Sequence, residues 1–445
     1  MDLKLQTSYR QILGMALPIS MAMLVPQINF ITNNIFLGAL GEKELASAGI
    51  TGVYYLIFAV IGNGLNNGMQ ALISRRAGQD RPKEIGTLFV HGIWVALAMA
   101  AMGIALTYLL APSILDATIH DAGIAKQCID FLLIRIWGLP LFYLYVMRNA
   151  LLVGTNQTKL LIWGTLAEAM ANIFFVYGLI YGHFGMPQLG FNGAAYASII
   201  AEGTGLLVIY AVIRIKGIHK SFGFFEESKF NPSTIKLILI QSSPLILQYA
   251  ISVISWEYFY ILIEHHGPRA LAISNTMRII FGLFGIFSWS FASTTNSMVS
   301  NIIGQGRQSE VIPLIHRIVR VSFSISLVLF VLLTMWPEWF LSFYGQGDDF
   351  IRDAIPVVRI VSVALLIMSF STVWLNAVTG TGKTKMNLLI EVAAIVFYSL
   401  YIYLVMIRWK LSLAIAWTNE IVYWAVIFSI AFWYIKSGKW KRARL

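Results

Sequence analysis

Residues 74–84 read Ser-Arg-Arg-Ala-Gly-Gln-Asp-Arg-Pro-Lys-Glu, and residues 300–310 read Ser-Asn-Ile-Ile-Gly-Gln-Gly-Arg-Gln-Ser-Glu. Each is a short polar turn between two long apolar runs. Ser, Gly-Gln, Arg and Glu recur in them at one offset of 226 residues. The same offset aligns Pro18 with Pro244, Gly41 with Gly267, and Leu45-Ala46 with Leu271-Ala272. It also aligns Gly154, Thr155, Thr158 and Lys159 with Gly380, Thr381, Thr384 and Lys385. One register kept across three hairpins marks an internal duplication. Arg135-Ile136 and Arg359-Ile360 match at an offset of 224, so small insertions separate the copies.

The apolar runs set the class. Of 445 residues, 58% are hydrophobic and 12% are charged, and the mean hydropathy is +0.73. Soluble chains carry roughly 25% charge, so this composition excludes a soluble enzyme, a disordered chain and a secreted disulfide scaffold. A single cysteine, Cys128, rules out an internal disulfide or a Cys-based zinc cluster. Runs beyond about 18 residues with few charges read as spanning helices. Twelve such runs fall at about 14–38, 48–73, 88–112, 127–153, 160–182, 190–214, 237–264, 270–302, 314–341, 353–379, 386–407 and 411–435. Barrel strands would instead alternate in segments of about ten residues. The first ten residues are polar and the first apolar run is too long for a cleaved leader.

The expected fold is an all-α polytopic membrane protein of twelve transmembrane helices in two six-helix lobes. Six is even, so both copies enter the bilayer from one side, which relates the lobes by a pseudo-two-fold axis along the membrane normal. The expected domains are an N-terminal lobe (1–216), a cytoplasmic linker (217–236) and a C-terminal lobe (237–445). Of 32 Lys and Arg, 22 fall on the side of the termini and even-to-odd loops, and six on the other. Positive residues collect in the cytoplasm, so both termini are expected there, in the plasma (inner) membrane. The basic tail from Lys436 then touches anionic headgroups rather than nucleic acid.

Duplicated bundles of this kind place a substrate site between halves and transport by alternating access. Three stretches carry a family resemblance. They are Leu17-Pro18 with Asn33-Asn-Ile-Phe-Leu-Gly-Ala-Leu-Gly41, Gly154-Thr-Asn-Gln-Thr-Lys159, and Asn172 with Gly190-Phe-Asn-Gly-Ala-Ala195. The chain resembles the multidrug and toxic compound extrusion (MATE) family. That resemblance implies a V-shaped antiporter, not an enzyme. It would export amphipathic, often cationic, small molecules as multidrug efflux against Na⁺ or H⁺, as a monomer with no cofactor beyond the ion. Lipid or lipid-linked oligosaccharide flippases share the superfamily and form the alternative. The positions where the family usually keeps acids hold Asn33, Val176, Ile251-Ser252 and Met368 here.

Ionisable groups inside hydrocarbon are functional candidates because burying them costs about 2.5–3.5 kcal/mol or more. Here they are Glu168, Glu202, Glu257, Glu391, Glu420, Arg135, Arg148, Arg278 and Arg359. Glu168 lies one helical turn before Asn172. With Asn33 and with Ser198, which the resemblance puts at a hydroxyl position of helix 6, they could cage a coupling Na⁺ in oxygen. The alternative is that they bond neighbouring helices. Glu257, between Trp256 and Tyr260, could receive a lipophilic cation through charge and cation–π attraction. Asn67, Gln70 and Asn296 are expected to line the substrate cavity with Trp256, Glu257 and Tyr260, close packing being the other reading. Arg135 and Arg359 would brace helices, and Arg148 would snorkel to the cytoplasmic edge. Gly382-Lys383-Thr384 ends like a P-loop, but the required first glycine is Ala377, which excludes an ATPase reading.

Overall fold

In hydrocarbon each spanning segment must satisfy its own backbone groups, so the apolar runs have helix as their one solution short of a closed barrel. A computed structural model describes residues 3–224, 229–344 and 347–442. Among the described residues twelve helices are long and apolar enough to cross a membrane, and no strand occurs. They are α1 (Tyr9–Gly38), α2 (Lys43–Gly78), α3 (Pro82–Thr118), α4 (Ala122–Gly154), α5 (Thr158–Tyr181) and α6 (Phe191–Ile215). The second set is α7 (Pro232–Glu264), α8 (Pro268–Gly304), α9 (Gln308–Met335), α10 (Asp348–Thr381), α11 (Thr384–Arg408) and α12 (Leu413–Lys436). Most run past the apolar stretches into polar turns. The ninth was expected to reach 341 but ends at Met335, because Pro337 opens a separate short helix, Pro337–Ser342. Residues 225–228 of the expected linker and 443–445 of the basic tail lie outside the described residues.

The chain forms two compact units, Met21–Ser242 and the chain from Ser243 onward joined by the stretch up to Ser20. In the first, α2 and α3 pack on α4, and α5 on α6; in the second, α8 and α9 pack on α10, and α11 on α12. The duplication is therefore visible in the pairings. It extends to single contacts. A Cβ on Gly154 would lie 2.8 Å from Ile73, and one on Gly380 would lie 2.9 Å from Val299 Cβ. Ile73 and Val299 are themselves 226 apart, so each unit uses the same glycine to bring two helices into close crossing. Gly41 and Gly267, at φ +152° and +98°, start α2 and α8 through backbone that side chains disfavour.

A division at 216 puts residues 3–20 with the first lobe; in the structure they pack with the second unit. Asn301 accepts from Leu5 N at 3.0 Å and donates to Leu3 O at 2.8 Å. Gln305 donates to Leu5 O, Arg317 to Thr7 O, and Ser20 Oγ to Ser290 Oγ at 3.0 Å. These partners lie 270 to 310 positions away, beyond what local spacing reveals.

Candidate functional site

Among the described residues, the first unit holds one ion pair deep within its spanning helices. α4 is interrupted by a tight turn at Ile136–Gly138, followed by Pro140 at the start of the next helical stretch. This break presents Arg135 to Glu202 of α6. The two groups meet fork to fork, with Nη1 3.1 Å from Oε2 and Nη2 on Oε1. The guanidinium also lies 4.1 Å from the centroid of the Tyr55 ring. Gly138 makes this possible, since a Cβ there would sit 2.2 Å from Arg135 Nη1 and 2.8 Å from Glu202 Oε2. Bracing was the expected role of Arg135, and this is its geometry.

Arg148 corrects the expectation of snorkelling. It is 1% exposed, with its guanidinium 4.0 Å over Tyr145. Gly164 opens the slot, for a Cβ there would lie 2.8 Å from Nη1. Glu168 packs its Cβ 2.9 Å from the corresponding point at Gly205 and lies in the field of Arg148 and Arg135. Asn172 is 2% exposed, and its Oδ1, like that of Asn33, is buried without a hydrogen-bond partner. Ser198 is partly exposed on α6. Among the described residues no hydrogen bond joins any two of Asn33, Glu168, Asn172 and Ser198. The buried oxygens of Asn33 and Asn172 are thus acceptors without a donor, and no contact draws the four residues into one cluster.

Gln70 and Asn296 are both fully buried, and they are equivalent positions of the repeat. Gln70 O lies 3.4 Å, and Asn296 O 2.8 Å, from a Cβ built on Gly154 and Gly380. These are main-chain carbonyls, which mark the two glycine crossings; both side chains are fully buried. Asn67 stays partly exposed and donates to Asn63 O at 3.1 Å.

In the second unit Arg278 of α8 reaches Glu257 at 2.9 Å. Its guanidinium also lies 4.8 Å from the Trp256 ring and 5.1 Å from the Tyr260 ring. The box of acid and aromatics read from sequence thus holds a cation of the chain itself. Tyr260 is buried, meets Trp256 edge to face and donates to Ser274 O at 2.8 Å. Both partners of the ion pair keep about a third of their surface exposed, 37% and 30%.

Sequence reasoning left Glu391 and Glu420 without neighbours. Glu391, 1% exposed on α11, accepts from Tyr423 OH at 2.5 Å and from Gln248 Nε2 at 3.4 Å. Tyr423 OH also meets Ser252 Oγ at 3.1 Å. Glu420, 4% exposed, accepts from Tyr398 OH at 3.4 Å. The legible signal was polar pairs one turn apart on apolar helices, Gln248 with Ser252 and Asn387 with Glu391. No group of three or more metal-binding side chains occurs among the described residues.

Comparison with known proteins agrees with this architecture. The family model MatE matches residues 18–177 and 244–404, one stretch in each copy of the repeat. "Probable multidrug resistance protein NorM" of Thermotoga maritima is 22% identical over 443 residues, covering 97% of this chain and 93% of its own. The protein of the same name from Synechocystis is 22% identical over 413 residues, covering 88% and 86%. Among solved structures, a MOP superfamily transporter from Pyrococcus furiosus superposes with a TM-score of 0.88 at 16% identity, over 97% of this chain and 96% of that one. An outward-facing multidrug resistance MATE family transporter gives 0.88 at 18% identity, over the same shares.

Proposed function

The chain belongs to the MatE family of multi-pass membrane transporters, and on that premise we propose that it is a secondary active antiporter exporting amphipathic, cationic small molecules in exchange for Na⁺ or H⁺. The observation that carries this reading is the set of carboxylates without an arginine partner inside spanning helices of both units: the half-buried Glu168 and the buried Glu391 and Glu420. Charges kept at such cost mark ion pathways.

Coupling needs one ligand to favour one state and its rival the other. In the first unit the coupling group is Glu168 with the unpartnered oxygens of Asn33 and Asn172, and Ser198 completes the set. In the second, the Trp256–Glu257–Tyr260 box receives the substrate. Arg278 is then the resident cation that an incoming one displaces. Its ion pair is partly solvated and worth about 0–1 kcal/mol, and its own contacts with the two rings add about 0.5–1 kcal/mol at such exposure. A desolvated cation over aromatic faces gains about 2 kcal/mol. The exchange therefore favours a flat, lipophilic cation over a small hydrated one. The positive-charge bias supports placing both termini in the cytoplasm, and the working unit is a monomer.

Dye efflux from inverted vesicles with an imposed Na⁺ or H⁺ gradient tests the reading. Glu168→Gln or Glu257→Gln is expected to abolish gradient-driven efflux while the protein still folds. Full activity in both variants removes the site assignment, and no transport under either gradient removes the antiport reading.

A further inference from the structure

We propose that Arg148, with the hydroxyl of Tyr210, forms a site for one compact monovalent anion, a halide or a small carboxylate, inside the first unit. Arg148 is 1% exposed, and its Nε, Nη1 and Nη2 all lack a hydrogen-bond partner. Arg135 meets Glu202 and Arg278 meets Glu257, whereas Arg148 is buried more deeply than either and forms no ion pair among the described residues. The structure gives it the face of the Tyr145 ring, 4.0 Å away on its own helix. One ring face offsets only part of the cost of burying a guanidinium. Tyr210 of α6 lies in its field, and the Tyr210 hydroxyl is buried and also unpartnered. A guanidinium offers five N–H groups in a planar fork, and the phenol adds one O–H. Donors without acceptors around a fixed positive charge are what an anion completes.

Local geometry opens the place. Arg148 stands six residues before the end of α4 at Gly154, and Tyr210 five before the end of α6 at Ile215. Gly164 stands six after the start of α5 at Thr158. At 1.5 Å per residue all three lie about 7–9 Å inside the same membrane face. Gly164 keeps the slot clear, since a Cβ there would lie 2.8 Å from Arg148 Nη1. The second copy of the repeat shows that the scaffold needs no charge at this depth. Arg148 corresponds to Trp374 at the offset of 226. That residue is 2% exposed and packs its ring on Phe428 and Phe432 of α12. An arginine kept where a neutral aromatic suffices marks function.

The neighbouring acid sets the condition for binding. Glu168 lies in the field of Arg148 but forms no ion pair with it among the described residues. While ionised, Glu168 balances Arg148 at a distance and repels a second anion. Once a cation sits on Glu168, Arg148 is left uncompensated and an anion restores neutrality. The two ions therefore bind with positive coupling, which is reciprocal. This purpose rests on the coupling role given to Glu168 above, but the binding measurement does not.

The full-length protein in nanodiscs is titrated in separate arms with radiolabelled chloride and radiolabelled formate. Glu168→Gln is expected to hold one anion per chain in at least one arm, and wild type to bind the same ion about fivefold or more weakly. Glu168→Gln/Arg148→Leu is expected to hold none. Binding confined to the chloride arm identifies a halide site, and binding in the formate arm a site open to carboxylates. No uptake by Glu168→Gln in either arm, or undiminished uptake by the double variant, overturns the site. Equal affinity in wild type and Glu168→Gln overturns the coupling of the two ions. Should the double variant fail to fold, Tyr210→Phe in the Glu168→Gln background is read instead. Affinity lowered about tenfold or more supports the site, and unchanged affinity overturns it. Anion binding in a protein without gradient-driven efflux would count against antiport and leave the site standing.

Discussion

Removing the carboxylate of Glu202 separates a structural charge pair from a coupling group. Its side chain is 13% exposed and that of Arg135 is 11% exposed, and two N–H···O bonds join them. Glu202→Ala leaves a guanidinium buried with one compensating contact, the Tyr55 face at 4.1 Å, worth about 0.5–2 kcal/mol. Breaking a buried pair from one side costs about 3–5 kcal/mol, so the aromatic contact offsets only part of the loss. Replacing both groups by apolar ones removes the stranded charge, and such exchanges are neutral or stabilising by about 1–4 kcal/mol. The expected order of stability places Arg135→Met/Glu202→Leu at or above wild type and Glu202→Ala about 3 kcal/mol below it. Reversible unfolding in mixed micelles, run as a double-mutant cycle, measures this. The double variant should also retain cation-driven efflux, since coupling is assigned elsewhere. Glu202→Ala within about 0.5 kcal/mol of wild type would refute the reasoning, because surface substitutions alone behave that way.

Further outcomes are expected at other positions. Gly380→Ala and Gly154→Ala should each cost about 1–3 kcal/mol, since the new methyl meets Val299 or Ile73 below 3.0 Å; equal stability in both would contradict the close crossing. Arg278→Gln should tighten binding of an amphipathic cation, measured by fluorescence quenching in nanodiscs, whereas weaker binding would make Arg278 a support for the box rather than its occupant. The exposed carboxyl of Asp121 is held below its ordinary range by the backbone N–H groups of Ile124 and Gly123. A carboxylate lowered by folding adds stability above its unfolded value, near ~3.9, and loses it as pH falls through the lower folded one. Hydrogen exchange at the first turn of α4 should therefore quicken in acid, and Asp121→Ala should quicken it at neutral pH and flatten the response.

Much of the architecture was legible in the amino-acid order. Hydrocarbon forces each segment to bond its own backbone, so length and hydropathy alone determined twelve helices, and the offset of 226 residues determined two copies. The spacing of Glu168 and Asn172 put them on one face for the same reason, because periodicity reports the face of a single helix. Which helix lies opposite that face is a different question, and tertiary structure alone answered it. Glu202 finds Arg135 across 67 positions, Glu391 finds Gln248 across 143, and Leu5 finds Asn301 across 296. Composition could not tell cavity from packing at Gln70 and Asn296 either, since a polar side chain suits both. The structure buries both side chains fully, each on a helix that a glycine, Gly154 or Gly380, brings close to its neighbour. The sequence by itself therefore determined what spans the membrane and how often; the fold decided which carboxylates meet an arginine, Glu202 and Glu257, and which meet a tyrosine hydroxyl, Glu391 and Glu420.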